Sequence, residues 1–332
     1  CGSGGFLIYS LSAFLKHLEE EYKSSLTTTE YQDLVKRIKQ QVFFGQDANQ
    51  SIVVAAKMNM IIAGDGSSNI YQGNTLAFDN KDKLSEPNLI ITNPPFGSSE
   101  SDSLDENDLD KYDVKTTTAQ SLFIQHMINM VVEEGEVVTI IDESILNAPK
   151  WKQVREFIMN KSYIEAIISL PKAAFSPNKI NVKTSIFYLK KKKGTNPEDY
   201  VQDYPIRMIE LNEIGYNKKG DIISPTMDVI VKVIKDRWVE IQHSPLSLED
   251  TGKLFSSYPL TIKDIHSKYN PNLRLDYKFH NPEVLSTIEE LKSTDGARLL
   301  SEFCVPTNPD EYNKAKEKGD IPILFRRGKT PN

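Results

Sequence analysis

One stretch limits what this chain can fold into: Pro87-Asn88-Leu89-Ile90-Ile91-Thr92-Asn93-Pro94-Pro95-Phe96-Gly97. Leu89 to Thr92 is a short apolar, β-rich run, and it predicts a fully buried strand. Two prolines end it. Proline cannot donate to a sheet ladder and fixes its own φ, so the strand stops there. Asn93 is thereby held at the carboxyl end of the strand, the edge at which open α/β sheets bind ligands.

These residue types suit one kind of chemistry. The exocyclic amine of a base such as adenine is a poor nucleophile, because its lone pair is delocalised into the ring. Two acceptors that bind its two hydrogens draw the lone pair back onto nitrogen. The side-chain oxygen of Asn93 is one such acceptor, and the carbonyl of Pro94 is a second, since proline loses its N–H but keeps its C=O. Pro95 belongs to the same rigid turn. Phe96 offers a flat face for stacking a base. The competing reading is a strand-end turn without chemistry.

The chain opens Cys1-Gly2-Ser3-Gly4-Gly5-Phe6, a glycine-rich loop running into a helix from Phe6 to about Tyr22. Glycines let the backbone approach a ligand, and a helix N-terminus offers free N–H groups. A lipoprotein start fails because an apolar helix follows at once. A signal peptide fails because no basic segment precedes the apolar residues. A dinucleotide fingerprint is weakly supported by a glycine loop alone.

Asn93-Pro94-Pro95-Phe96 matches the Asn-Pro-Pro-Phe motif of amino-methyltransferases. Beside it, the opening loop resembles motif I of S-adenosylmethionine-dependent DNA methyltransferases, in the form seen in modification subunits of type I restriction systems. That resemblance covers about residues 1–193. It implies that Cys1, Gly2, Ser3, Gly4, Gly5 and Phe6 hold S-adenosylmethionine. In that family an Asp-Pro-Ala strand precedes the loop. Its absence here suggests a fragment that lacks the first strand of the sheet.

The run Gln41 to Gln46 predicts the second strand, and Asp47 follows it. A carboxylate there takes ribose hydroxyls, and the resemblance places one there for the adenosyl ribose. The alternative is a cap for a helix from Ala48 to about Ile62. Asn59, in that helix, matches a family feature or satisfies a backbone group. Asn69 to Leu76 predicts the third strand and its turn. The family has Gly-Asp-Thr-Leu there, whereas this chain has Gly73-Asn74-Thr75-Leu76. The resemblance assigns Asn74, Thr75 and Leu76 to the cofactor.

Ser98 to Asp113 is rich in serine and acid and predicts a mobile loop. Further elements are a helix from Thr118 to Val132, a strand from Val137 to Asp142 and a helix from Trp151 to Lys161. Strands follow at Ile164–Leu170 and, as the last, Lys183–Lys190. Phe175 between them is a base-stacking ring or a core aromatic. Lys190 to Lys193 reads as a solvated strand end rather than a phosphate contact. Ser224 to Lys235 predicts a helix. Arg274-Leu275-Asp276-Tyr277-Lys278-Phe279-His280-Asn281-Pro282, with a helix from Val284 to Lys292, resembles the opening of a target-recognition domain of a type I specificity subunit. So does the tail from Phe325 to Pro331.

Composition bounds the rest. The 332 residues are 39% hydrophobic and 26% charged, and no run of apolar residues is long enough to span a membrane. The 2 cysteines, Cys1 and Cys304, form no disulfide framework or zinc site, and a reducing cytoplasm fits. The 5 histidines are scattered, and no metal is implied. A net charge of -6 confines DNA contact to a local face or a partner.

The expected fold is α/β: a Rossmann-like, mostly parallel methyltransferase sheet with helices on both faces, plus a smaller C-terminal region. The expected domains are a catalytic domain (1–193), a connector (194–270) and the start of a recognition domain (271–332). The expected reaction is methyl transfer from S-adenosylmethionine to the N6 amine of adenine. The expected partners are double-stranded DNA, a specificity subunit or fused recognition domain, and a restriction subunit. Two alternatives stand beside it: a protein-glutamine or RNA methyltransferase, which shares the motif, and a non-catalytic DNA-binding or assembly fragment, inactive for want of the first strand or of an Asp in place of Asn74.

Overall fold

Alternation of short apolar runs with amphipathic stretches dictates strands interleaved with helices. The computed structural model, which describes residues 1–64, 69–77, 86–96, 104, 106–194 and 200–294, has that order. It begins α1 (Gly5–Tyr22), α2 (Thr28–Gln41), β1 (Phe44–Asp47), α3 (Gln50–Ile62) and β2 (Asn69–Gln72). Next come β3 (Leu89–Thr92), α4 (Glu106–Asp110), α5 (Ala119–Met130), β4 (Glu136–Asp142), α6 (Glu143–Asn147), α7 (Lys152–Lys161), β5 (Ser162–Ser169) and β6 (Thr184–Lys191). Then follow β7 (Ile206–Leu211), α8 (Met227–Asp236), α9 (Trp238–Ile241), β8 (Phe255–Leu260), α10 (Ile262–Ile265), α11 (Tyr277–His280) and α12 (Pro282–Ser293).

The strands form two sheets. β1 and β2 pair in parallel, and a six-stranded sheet runs β3-β4-β6-β5-β7-β8. The larger sheet is mixed rather than mostly parallel. β3 with β4 and β5 with β7 are parallel, while β6 enters between β4 and β5 antiparallel to both. β6 is also not the last strand, since β7 and the antiparallel β8 extend the sheet.

β3 differs from expectation in a way that matters for the site. It is an edge strand, with β4 as its one neighbour among the described residues, so it is not fully buried: Leu89 is 45% exposed. The physical reason is the missing second neighbour, not a failure of its apolar pattern. Ile90 still packs against the main core, which α5 and α7 build with β4 to β8.

Local signals set the remaining boundaries. Thr27 and Glu30 form a capping box that starts α2, worth about 1 kcal/mol. α2 then continues to Gln41, so β1 starts at Phe44 rather than Gln41. Lys191 donates from Nζ to the Asn129 and Val131 carbonyls at the end of α5, and Lys192 donates to the Met159 carbonyl in α7. These two lysines of the basic run therefore complement helix C-termini.

The chain divides into two compact units, Cys1–Asn281 and Pro282–Asn332. Leu275 and Tyr277, from the stretch that resembles a recognition domain, are buried in the core of the first. The second contains α12, and the tail from Phe325 to Pro331 lies outside the described residues. Of the acid-rich loop, 98–103 and 105 also lie outside. Its later part is ordered, with Tyr112 buried and donating to the Leu76 carbonyl at 2.9 Å. No helix among the described residues is long and apolar enough to cross a membrane.

Candidate active site

The glycine loop folds onto the end of β1. The Cys1 backbone nitrogen donates to the Gln46 carbonyl at 2.6 Å, and the Gly2 N–H donates to Asp47 Oδ2 at 3.0 Å. Asn59 donates from Nδ2 to the Ser3 carbonyl at 2.9 Å, so it satisfies a backbone group of the loop. Gly4 caps α1 at φ 85°, a left-handed conformation that glycine adopts without strain. Gly45 explains the close fit. A Cβ there would lie 3.0 Å from Leu7 and 3.1 Å from both the Cβ and Sγ of Cys1. Gly5 begins α1, and Phe6 is 42% exposed in its first turn.

Asp47 joins the loop to the rest of this half. Its Oδ1 accepts the Asn49 N–H at 3.0 Å, and its backbone carbonyl accepts the Gly73 N–H at 3.0 Å. It does not cap α3. Asn49 does, accepting from Ser51 and Ile52. Burial opposes ionisation of Asp47, but the Asn49 and Gly2 N–H groups hold its carboxyl below the usual carboxylate range. Oδ2 also accepts from the Cys1 nitrogen at 3.4 Å, so Oδ1 is the oxygen that keeps a lone-pair site for a further donor.

After β2, Asn74 Oδ1 accepts the Leu76 N–H at 3.0 Å and shapes the turn through Thr75. Leu76 has no exposed side-chain surface and packs with Tyr112 and with Leu122 of α5. It ties the stretch after β2 to α5. Among the residues expected at the cofactor, the structure thus gathers Cys1, Gly2 and Asp47 by direct contact, with Ser3 held by Asn59 and Asn74 to Leu76 following the turn at Gly73.

On the other side, Asn93 follows β3 with its side chain exposed and without a hydrogen-bond partner among the described residues. Pro94 is buried and Pro95 exposed. Phe96 meets Phe175 edge to face, with ring centroids 5.4 Å apart. Phe175 sits on the 3-10 segment Lys172–Asn178 between β5 and β6, and it also borders the core beneath β7. The core reading of Phe175 therefore describes part of its environment, and the Phe96 ring forms another part.

Sequence reasoning missed a second layer. Glu143, the first residue of α6, has its carboxyl pushed up by burial, with Lys183 opposing and Asp276 and Glu210 adding to the rise. Lys183 pairs with Glu210 at 3.3 Å. It also missed Gln120 in the first turn of α5, whose Oε1 accepts the Asp142 N–H at 2.7 Å. Neither residue lies in a motif, and contacts across distant elements leave no local signal. No group of acidic, histidine or cysteine side chains among the described residues could hold a metal ion.

A glycine loop folded onto the β1–β2 pair and Asn-Pro-Pro-Phe at the carboxyl edge of β3 in the larger mixed sheet fit the α/β methyltransferase class. The model of the family described as N-6 DNA Methylase matches residues 1–251, and the chain belongs to that family. The type I restriction enzyme MpnII methylase subunit of Mycoplasma pneumoniae is 24% identical over 311 residues, covering 88% of this chain and 52% of that protein. The EcoEI methylase subunit of Escherichia coli is 25% identical over 207 residues, covering 62% of this chain and 39% of its own. The RM.BcgI restriction enzyme and methyltransferase of Heyndrickxia coagulans is 27% identical over 190 residues, covering 56% and 26%. The chain thus spans about half or less of these relatives. A modification subunit of a putative type I restriction enzyme from Vibrio vulnificus superposes with TM-score 0.61 at 18% identity, covering 87% of this chain and 56% of that one. The EcoKI M protein superposes with TM-score 0.56 at 18% identity, covering 96% and 70%. These two establish the shared fold.

Proposed function

We propose that this chain transfers a methyl group to the exocyclic N6 amine of adenine in duplex DNA, as the modification component of a restriction-modification system. The observation that carries the reading is Asn93: a side-chain amide at the carboxyl edge of the sheet, exposed and uncommitted. Its oxygen takes one hydrogen of the amine and the Pro94 carbonyl takes the other. The amine lone pair is thereby localised for attack, and the proton leaves to solvent. The base has to leave the stack to reach this edge, at about a few kcal/mol. Phe96 and Phe175 provide aromatic faces for it there.

S-adenosylmethionine supplies the methyl group, and the residues present suit it. The N-terminus of α1 has no side-chain cap and no acidic residue in its first turn, so its N–H groups suit a carboxylate. Asp47 suits the ribose hydroxyls. Cys1 to Phe6, which lead into α1, and Asn74 to Leu76, which follow the Gly73 N–H bonded to the Asp47 carbonyl, are assigned the remaining cofactor contacts. Catalysis is assigned to residues 1–193, and the following 194–270 connects onward while supplying β7 and β8 to the same sheet. Target recognition begins in 271–332, either in this chain or through a specificity subunit, with a restriction subunit as a further partner and the cytoplasm as the compartment.

The test is methylation of unmethylated DNA with labelled S-adenosylmethionine by the parent chain and by Asn93→Ala. The variant should lose methyl transfer and keep cofactor binding by calorimetry. Equal activity in the two proteins rules the reading out. Transfer to RNA or to protein glutamine instead would move the substrate class, and a parent that binds no S-adenosylmethionine would leave only a DNA-binding or assembly role.

A further inference from the structure

The second acceptor proposed above is a backbone carbonyl, and a carbonyl at a strand end has a competing use. The parallel ladder between β3 and β4 pairs Leu89 with Glu136, Ile90 with Val137, Ile91 with Val138 and Thr92 with Thr139. At its start the Glu136 N–H donates to the Asn88 carbonyl at 2.8 Å. The backbone groups of a central strand alternate sides. Gly135 and Glu143 accordingly bond toward β6, through Lys191 N–H to the Gly135 carbonyl and Glu143 N–H to the Lys183 carbonyl. The even-numbered residues of β4 therefore face β3. Continued past Thr92 in the same register, the ladder would point the Asp142 N–H at the carbonyl of Pro94.

That bond is not made. The Asp142 N–H donates instead to Gln120 Oε1 at 2.7 Å. Gln120 is 3% exposed and sits one residue inside α5, and its Nε2 has no partner among the described residues. No backbone N–H among the described residues donates to Pro94. A buried N–H has to be satisfied, and the Gln120 side chain satisfies this one in place of the strand.

We infer that Gln120 is a positioning residue, which substitutes for β3 at the last rung of the ladder and so keeps the Pro94 carbonyl available to the substrate amine. The inference rests on the function proposed above. Without the glutamine oxygen, the Asp142 N–H has the Pro94 carbonyl as its next acceptor in register. The site would then hold the amine through Asn93 alone.

The experiment compares the full chain with Gln120→Leu, Gln120→Glu and Ser121→Ala. Gln120→Leu should lower kcat by roughly tenfold or more, with unchanged affinity for S-adenosylmethionine. Gln120→Glu keeps an acceptor oxygen and should retain kcat within about threefold of the parent. Ser121→Ala, the adjacent buried hydroxyl without a partner, should behave as the parent and reports any general loosening of the helix start. A crystal structure of Gln120→Leu should show Asp142 N within hydrogen-bond distance of Pro94 O. Parental kcat in Gln120→Leu, equal losses in the Leu and Glu variants, or the same loss in Ser121→Ala would overturn the inference. So would a water in place of the Asp142–Pro94 bond. A parent chain that methylates no DNA overturns the proposed function instead, and the Asp142–Pro94 distance in the variant still decides the exchange of partners.

Discussion

The ring of Phe175 meets that of Phe96 edge to face at 5.4 Å, with the planes at 69°. The two come from different connections, one after β3 and one between β5 and β6. The second is fixed from outside by Tyr216, whose hydroxyl donates to the Ala174 carbonyl at 2.6 Å. The pair therefore makes an aromatic corner beside Asn93. Phe175→Leu keeps an apolar side chain but removes the face. Base stacking on an aromatic ring is worth about 1–3 kcal/mol, so methyl transfer at limiting DNA should fall roughly tenfold. Affinity for S-adenosylmethionine, measured by calorimetry, should not change.

Asp47 yields a prediction of the opposite kind. It accepts N–H groups from Gly2 and Asn49 through separate oxygens, and in the proposed function it also holds the cofactor ribose. Asp47→Asn leaves the shape but removes the charge and one acceptor. Hydrogen bonds to a charged group contribute about 1.5–3 kcal/mol. Binding of S-adenosylmethionine should weaken by roughly tenfold to a hundredfold, read by calorimetry, while the turnover at saturating cofactor stays near that of the parent.

Local chemistry made parts of both sites legible in the sequence. The Asn93 turn follows from local chemistry: an apolar run stopped by Pro94 and Pro95 has one geometry available. The glycine loop and Asp47 also meet as their order along the chain implies. Asn49 as the true cap of α3 carried a signal, since asparagine is among the strongest N-caps, but Asp47 two residues earlier competes for it. β7 and β8 were not legible. Each is six residues long, and each is specified by pairing with distant strands. The exposure of β3 depends on neighbours that its own residues cannot report. Burial of Leu275 and Tyr277 is equally non-local: the Leu275 N–H donates to Leu146, and the Tyr258 hydroxyl donates to the Tyr277 carbonyl.

Arg155 holds that late segment in place. It is fully buried and donates to the carbonyls of Ile145 and Ala148 and, from two nitrogens, of Asn272. Among the described residues no carboxylate bonds to it, and burial lowers its pKa to about 10, with Asp276 opposing. Arg155→Met should destabilise the chain by about 3 kcal/mol or more, because several buried carbonyls lose their donor at once. Urea denaturation measures the loss. Limited proteolysis should cut first between residues 266 and 281, since the segment loses its tie to α6 and α7.

Glu143 makes stability depend on pH in a direction opposite to that of an ordinary paired carboxylate. Burial raises its pKa above the value of 4.5 that it has when unfolded; Lys183 opposes, and Asp276 and Glu210 add to the rise. From about pH 4.5 up to the raised value, the folded chain binds the proton more fully than the unfolded chain does. Its contribution to stability is therefore fully present below pH 4.5 and is lost as pH rises through the folded pKa. Gln mimics the protonated acid. The melting temperature of Glu143→Gln minus that of the parent should thus increase as pH rises above 4.5, and level off once the carboxyl is ionised in both states. A difference that stays constant across that range would mean the side chain is ionised as readily in the fold as in water.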